Sequence, residues 1–405
     1  MQNHALHRAK LGGGVFCARV VSAESCAPPS GARRGRLLEL WRIQSLTTSA
    51  TISHVKSTCP QLAFHLGLIA TFALTLPSCD TANHPDATGT QQQPDLVIRF
   101  ATLSSSSHRA WKAVDLVRTE LESRSHGRIK VVLYDAGVLG AERQLLENCF
   151  LGIVDMVQCT SAVVTSVDPV FSLMDLPYVF VDEQHHRQVI HGPIGQDLLD
   201  GLKRHQLQGL TFYSCGFRNM FNTRDVQVAS PADLNGMKIR VMESPVMVAS
   251  LNALGASATP LSASEVFQSL KTKVVDGAEN DPETFVSQKY YEAGCSNYSL
   301  TRHFANQHVL VVNRAWFEGL EETHPDLHQL IRDVPRSILD RYNQHWEEGV
   351  TAAMDKMQAV GVTVNEVDDV TAFIEMAQPV YDAFFASHPE VSRDWIDRIR
   401  KEGVR

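Results

Sequence analysis

Two cationic side chains and an amide fall within one stretch of this chain, where together they could hold an anion. Arg218 closes Gly216-Phe217-Arg218, Arg240 sits in Met237-Lys238-Ile239-Arg240-Val241, and Asn280 ends Asp276-Gly277-Ala278-Glu279-Asn280. A guanidinium presents a planar fork of donors that matches a carboxylate two bonds at a time, so the set suits an organic acid better than lysines would. On a strand Ile239 and Val241 face one way while Lys238 and Arg240 face the other. Period alone leaves Arg240 either in water or facing a cleft. The plain alternative is a pair of surface arginines in loose ion pairs.

Other groups carry less chemistry. His185, His186 and His191, with Asp182 and Glu183, match no metal-ligand spacing and read as a solvated surface, so no metal is expected. The acidic run Asp276 to Asp281 lacks the alternating carboxylates of a calcium loop. There is no Gly-x-Ser-x-Gly elbow, Walker loop or dinucleotide fingerprint, and no cofactor is expected. The cysteines stand singly at 17, 26, 59, 79, 149, 159, 215 and 295, which defines no disulfide framework. Trp111, Trp316, Trp346 and Trp395 read as core or domain-seam residues. An enzyme acting on organic acids would need Glu279 or Asp276 as general base with an acid opposite, and no convincing pair stands out.

The elements that must position these residues read as α/β. The chain has 405 residues, 44% apolar and 20% charged, which suits a globular protein of two or three domains. Its 37 Lys+Arg against 45 Asp+Glu leave a net charge of -8, which opposes binding to a phosphate backbone, so no nucleic-acid partner is expected. Leu96 to Phe100 predicts a strand, Trp111 to Leu121 a helix stopped by Gly127, Ile129 to Tyr134 a strand, and Glu142 to Phe150 a helix. Gln188 to His205 predicts a helix and Leu210 to Tyr213 a strand. A second unit follows with a strand at Lys238 to Met242, a helix at Pro245 to Leu254 and a capping box, Ser262-x-x-Glu265. After a strand at Val309 to Asn313, Pro325 to about Val360 is helical, with Pro335 starting or kinking its longest section. Strands alternating with helices argue for a parallel sheet covered on both faces.

The first part of the chain differs. Lys56 precedes an apolar run from Leu62 to Leu76 that ends in Leu76-Pro77-Ser78-Cys79, which is the layout of an export signal. The run is shorter than the roughly 20 residues a membrane-spanning helix needs. Leu76 three places before Cys79 resembles a lipobox, although Pro77 departs from it, and makes Cys79 the expected lipid anchor. Residues 1–54 are expected to be disordered or to reflect a misassigned start, with Val55 the alternative, and 80–94 to be a linker.

Several segments together resemble the periplasmic solute receptors of tripartite ATP-independent periplasmic (TRAP) transporters, of the DctP type. The resemblance runs from about Leu96 to Arg405. It is carried by Ser230 to Val241, by Leu254-Gly255-Ala256 with Thr259-Pro260, and by Glu265-Val266-Phe267 and Val274 to Asn280. It is carried also by Gly137-Val138-Leu139-Gly140 with Glu142, Gly152 with Asp155-Met156, Leu176-Pro177-Tyr178-Val179, and Lys289-Tyr290-Tyr291-Glu292 before Leu300-Thr301. The resemblance implies an α/β fold of the periplasmic-binding type, with two domains around a ligand cleft and a long helix spanning both. Domain I is expected at 95–215 and 306–334, domain II at 216–305 and 335–405. It implies a small organic-acid ligand, a dicarboxylate, keto acid or sugar acid, delivered to TRAP membrane subunits rather than processed. Arg240 is then the bidentate carboxylate contact, Arg218 a second cation, Asn280 a hydrogen-bonding partner and Thr160 a polar contact. Ala263 stands where many members place an aromatic ring, which leaves the ligand open. A receptor reporting to a sensor kinase is the remaining alternative.

Overall fold

The computed structural model describes residues 93–402. The expectations for 1–54, for the signal and Cys79, and for nearly all of the 80–94 linker lie outside these residues.

The chain enters as β1 (Leu96–Thr102), passes through α1 (Trp111–Arg124) to β2 (Ile129–Tyr134), and returns through α2 (Glu142–Phe150) to β3 (Met156–Thr160). The short α3 (Ser161–Val164) and then α4 (Glu183–His191) and α5 (Pro193–Gly201) lead into β4 (Leu207–Asn222). A second lobe follows, with β5 (Lys238–Val241), α6 (Pro245–Ala253), β6 (Ser257–Pro260), α7 (Val266–Lys271), β7 (Gly277–Asn280) and α8 (Pro282–Ser287). The long β8 (Asn297–Asn313) carries the chain back, and α9 (Arg314–Thr323), α10 (Pro325–Ser337), α11 (Leu339–Ala359), β9 (Thr363–Glu366), α12 (Thr371–Ser387) and α13 (Asp394–Glu402) complete it.

All the strands join one sheet in the order β2-β1-β3-β8-β4-β7-β5-β6, with β9 added to β8. β1 is parallel to β2 and β3, and β5 is parallel to β6 and β7, as the strand–helix alternation predicts. The expectation of a parallel sheet fails at its centre, where β8 runs antiparallel to β3 and to β4 and β4 runs antiparallel to β7. These two strands, 16 and 17 residues long, cross from one lobe to the other and hold both against a common seam.

Alternation along the strands builds a core on each face. In the first lobe Phe212, Val309 and Val311 enter one cluster while Tyr213, Leu310 and Val312 enter the other. In the second lobe Met220, Ile239 and Val241 pack on one face, and Phe221, Ala278 and Tyr298 on the opposite one. The sequence places 335–405 in the second lobe; side chains from that segment pack on both. Tyr342 and Trp346 of α11 join the first lobe and Met357 the second, while α12 places Phe373 in the second lobe and Phe384 in the first. The long α11 thus spans both lobes, as expected, and α12 does so as well.

Two local expectations change. The helix predicted over Gln188 to His205 is broken at Gly192-Pro193, where Gly192 is extended at φ -87° and ψ -168° and proline starts α5. The solvated surface expected at His185 and His186 is instead buried: His185 Nε2 lies 2.7 Å from the Ile399 carbonyl oxygen and His186 Nε2 2.8 Å from Gln307 Oε1. Hydrogen bonds and the edge of the Phe180 ring replace water around both imidazoles.

Candidate functional site

The parallel strands of both lobes end at the same crevice, where open α/β sheets place their ligands. β1 delivers Leu103 and Ser104, β3 ends in Thr160, β5 delivers Arg240 and Met242, and β7 ends in Asn280. The crossing strands add Arg218 from β4, and Asn306 and His308 from β8. All of these line one cavity of about 330 Å³. It therefore brings together the four residues expected to contact a ligand: Arg240, Arg218, Asn280 and Thr160.

Local backbone features aim these side chains. The register of β4 against β8 shifts between Ser214 and Phe217 and again between Arg218 and Met220, and such bulges re-aim a side chain. Gly216 lies in this irregular stretch at φ +65°, a conformation that strains other residues. On the opposite wall Gly137 takes φ +68°, and a Cβ there would lie 2.8 Å from Leu103 Cδ1, so glycine lets the turn sit behind the cavity-lining Leu103. On β5 the choice that period left open is resolved, since Lys238 is exposed whereas Arg240 is 3% exposed and faces the cavity.

The two arginines are buried alike and differ in their partners. Arg218 donates from Nε to Glu279 Oε2 and from Nη2 to Glu279 Oε1 at 3.0 Å and to the Glu279 carbonyl at 2.9 Å. Burial opposes its charge, but the charge and hydrogen bonds of Glu279 more than offset this and raise its pKa. Arg240 donates from Nε and Nη2 to the Leu261 carbonyl at 3.0 and 2.6 Å and makes no ion pair among the described residues. Burial, together with the like charge of Arg218, lowers its pKa against the opposing influence of Tyr290, Glu279 and Glu142. A buried cation without a counter-ion is costly unless an anion arrives. Surface arginines in loose ion pairs, the plain alternative, are not what the chain builds.

Donor counting sharpens the roles. Glu279 occupies Nε and both Nη2 hydrogens of Arg218, leaving Nη1 alone, whereas Arg240 keeps Nη1 and one Nη2 hydrogen, enough for two parallel bonds to a carboxylate. Asn280 Oδ1 accepts from the Asp281 backbone at 3.0 Å, so its amide hydrogens are unclaimed. The Thr160 hydroxyl already donates to Glu142 Oε2 at 2.8 Å while its backbone N–H donates to Oε1 at 3.1 Å, so Thr160 can only accept from a ligand. Burial pushes the Glu142 carboxyl above the usual range despite those bonds.

The far wall went unrecognised in the sequence. His108 accepts from the Ala110 backbone at Nδ1 (3.1 Å), which puts its proton on Nε2, 2.9 Å from Thr284 Oγ1; Thr284 in turn donates to Asp281 at 2.8 Å. Asn306 donates to Asp281 at 3.0 Å, and Gln288 and Tyr290 complete this side. Burial pulls His308 down to about 3, which keeps it neutral, and its Nδ1 has no hydrogen-bond partner among the described residues. The signal that could have found this wall is the polar run Asn306-Gln307-His308, continuous with the apolar strand that follows it. The bases an enzyme would use are otherwise engaged. Glu279 is fully buried against Arg218, and Asp276 accepts from the Lys238 backbone and Arg224, outside the cavity lining.

Two α/β lobes meeting over a cleft that offers a buried guanidinium with no ion pair among the described residues are the build of a solute-binding protein. The model of the family described as bacterial extracellular solute-binding protein, family 7 (DctP), matches residues 100–388, and this chain belongs to that family. It is 33% identical over 300 residues to a solute-binding protein of Chromohalobacter salexigens, covering 72% of this chain and 88% of the relative. A TRAP periplasmic solute-binding protein of the same organism, solved with bound D-glucuronate, superposes with a TM-score of 0.71 at 32% identity, covering 75% of this chain and 99% of the other. One from Xanthobacter autotrophicus, solved with bound β-D-galacturonate, gives 0.69 at 31% identity over 75% and 99%. Proteins of this family are periplasmic solute receptors.

Proposed function

We propose that the protein captures a small organic acid, most closely a sugar acid, and delivers it to the membrane subunits of a TRAP transporter. The observation that carries this reading is Arg240, buried in the cavity wall with no carboxylate partner among the described residues. Its free Nη1–Nη2 edge takes the ligand carboxylate, Arg218 adds one bond from Nη1, and Asn280 donates from its amide. Thr160 and Glu142 accept from ligand hydroxyls. The far wall, built from His108, Thr284, Gln288, Asn306 and His308, offers neutral hydrogen-bonding groups and no second free cation, which favours a polyhydroxylated acid over a dicarboxylate. The uronates held by the similar solved structures support the same choice.

Ligand binding draws the lobes together across the β4–β8 seam, and the membrane subunits distinguish the closed form from the open one. The ligand leaves chemically unchanged, a reading supported by Glu279 being tied to Arg218. The periplasmic protein is held at the membrane through a lipid on Cys79, supported by the apolar run and Leu76 that precede it. Thermal-shift measurements on the full chain test the ligand class: D-glucuronate or D-galacturonate should raise the melting temperature more than succinate at equal concentration. A shift with succinate alone would overturn the sugar-acid choice.

A further inference from the structure

A small annex of about 40 Å³ opens beside Arg240 and shares Leu103, Glu142, Arg240, Met242, Ala263 and Ser264 with the main cavity. Leu261, Ala141, Ala162 and Val163 join the shared Leu103, Met242 and Ala263 in an apolar wall, and Arg143, Glu243 and Ser262 add polar groups beside it. Residue 263, on the border of the annex, carries only a methyl group. Ala263 stands just after Leu261, whose carbonyl anchors the Arg240 guanidinium, and it borders both spaces. A space of this size exceeds what one water needs and holds about two non-hydrogen atoms. The apolar side of this lining favours a carbon substituent.

Resting on the sugar-acid reading, we infer that the annex is a subsite for a small apolar substituent next to the acid group. Arg240 fixes the carboxylate at the mouth of the annex, so the group that enters lies on the ring carbon adjacent to the one bearing the carboxylate. The ligand class this selects is a uronate carrying a methyl ether on that neighbouring hydroxyl, with its remaining hydroxyls turned toward the polar wall. Ala263 is the specificity-determining residue, because it borders the annex and a larger side chain there takes up its space.

Calorimetry on the full chain with D-glucuronate and with its 4-O-methyl ether tests this, using wild type, Ala263→Val and Ala263→Phe. Wild type should bind the ether as tightly as the parent acid or up to roughly tenfold tighter, as one buried methyl in an apolar pocket allows. Ala263→Phe should weaken the ether by at least about tenfold relative to the parent, and Ala263→Val by less; the ether-to-parent ratio is the readout, so that any loss common to both ligands cancels. Wild type that binds D-glucuronate but rejects the ether, or an ether-to-parent ratio unchanged by Ala263→Phe, would overturn the subsite alone. Wild type that binds neither compound would overturn the sugar-acid reading and the subsite with it.

Discussion

Arg218 and Glu279 lock together across neighbouring strands. Met220 pairs with Glu279 in the β4–β7 register, so Arg218, two residues back on the same face, reaches diagonally to the carboxylate. The pair leaves one nitrogen of Arg218 free of Glu279 and offsets part of its charge.

Glu279→Ala leaves the Arg218 charge buried and unpaired, and urea denaturation should show a loss of about 3–5 kcal/mol. The double variant Arg218→Met with Glu279→Leu should recover most of that stability. Equal destabilisation of single and double variants would show that the pair is not the source.

Asn280→Asp keeps the acceptor for the Asp281 backbone but replaces the free amide hydrogens with negative charge facing the ligand carboxylate. Affinity for D-glucuronate measured by calorimetry should fall more than about tenfold, equivalent to about 1.4 kcal/mol, with little change in fold. An unchanged dissociation constant would remove Asn280 from the site.

Stability should respond to two carboxyls near the lobe seam. Burial pushes Asp175 up to about 7, against the Ser244 hydrogen bond and the Arg218 charge. Burial, and then the charge of Asp281, pushes Glu283 up to about 8. Both values exceed the ordinary carboxylate range, so the folded chain binds more protons than the unfolded one. The stabilisation is complete below about pH 4 and is lost as pH rises through 7 for Asp175 and 8 for Glu283. Relative to Asp175→Asn, wild type should lose up to about 1.4 kcal/mol per pH unit across the interval to 7, and Glu283→Gln should remove the same trend up to 8. Parallel stability–pH curves for wild type and both variants would contradict this.

The sequence is most legible where local chemistry decides the structure. The helix Glu142–Phe150 and the strand Ile129–Tyr134 fall where their apolar spacing puts them, and Ser262 with Glu265 forms both bonds of its capping box. Arg240, Arg218, Asn280 and Thr160, which the family resemblance points to, all line the cavity, although strand period alone left the direction of Arg240 open. The long strands were not. Bulges in β4 break its alternation, and β8 carries Thr301, His303, Asn306, Gln307 and His308 fully inside the seam, so polar residues mask a buried strand. The tie between Arg218 and Glu279 depends on the register of strands 61 residues apart in sequence, which no local pattern encodes.

The central claim is that Arg240 is a cation awaiting an anionic ligand, and calorimetry of Arg240→Ala against D-glucuronate tests it most directly. The variant should fold, with a melting temperature within about 4 °C of wild type, because no ion pair among the described residues is lost. Its affinity should fall at least about 100-fold, equivalent to roughly 3 kcal/mol for a buried charge-assisted pair. A folded Arg240→Ala protein that binds D-glucuronate as tightly as wild type would contradict the account.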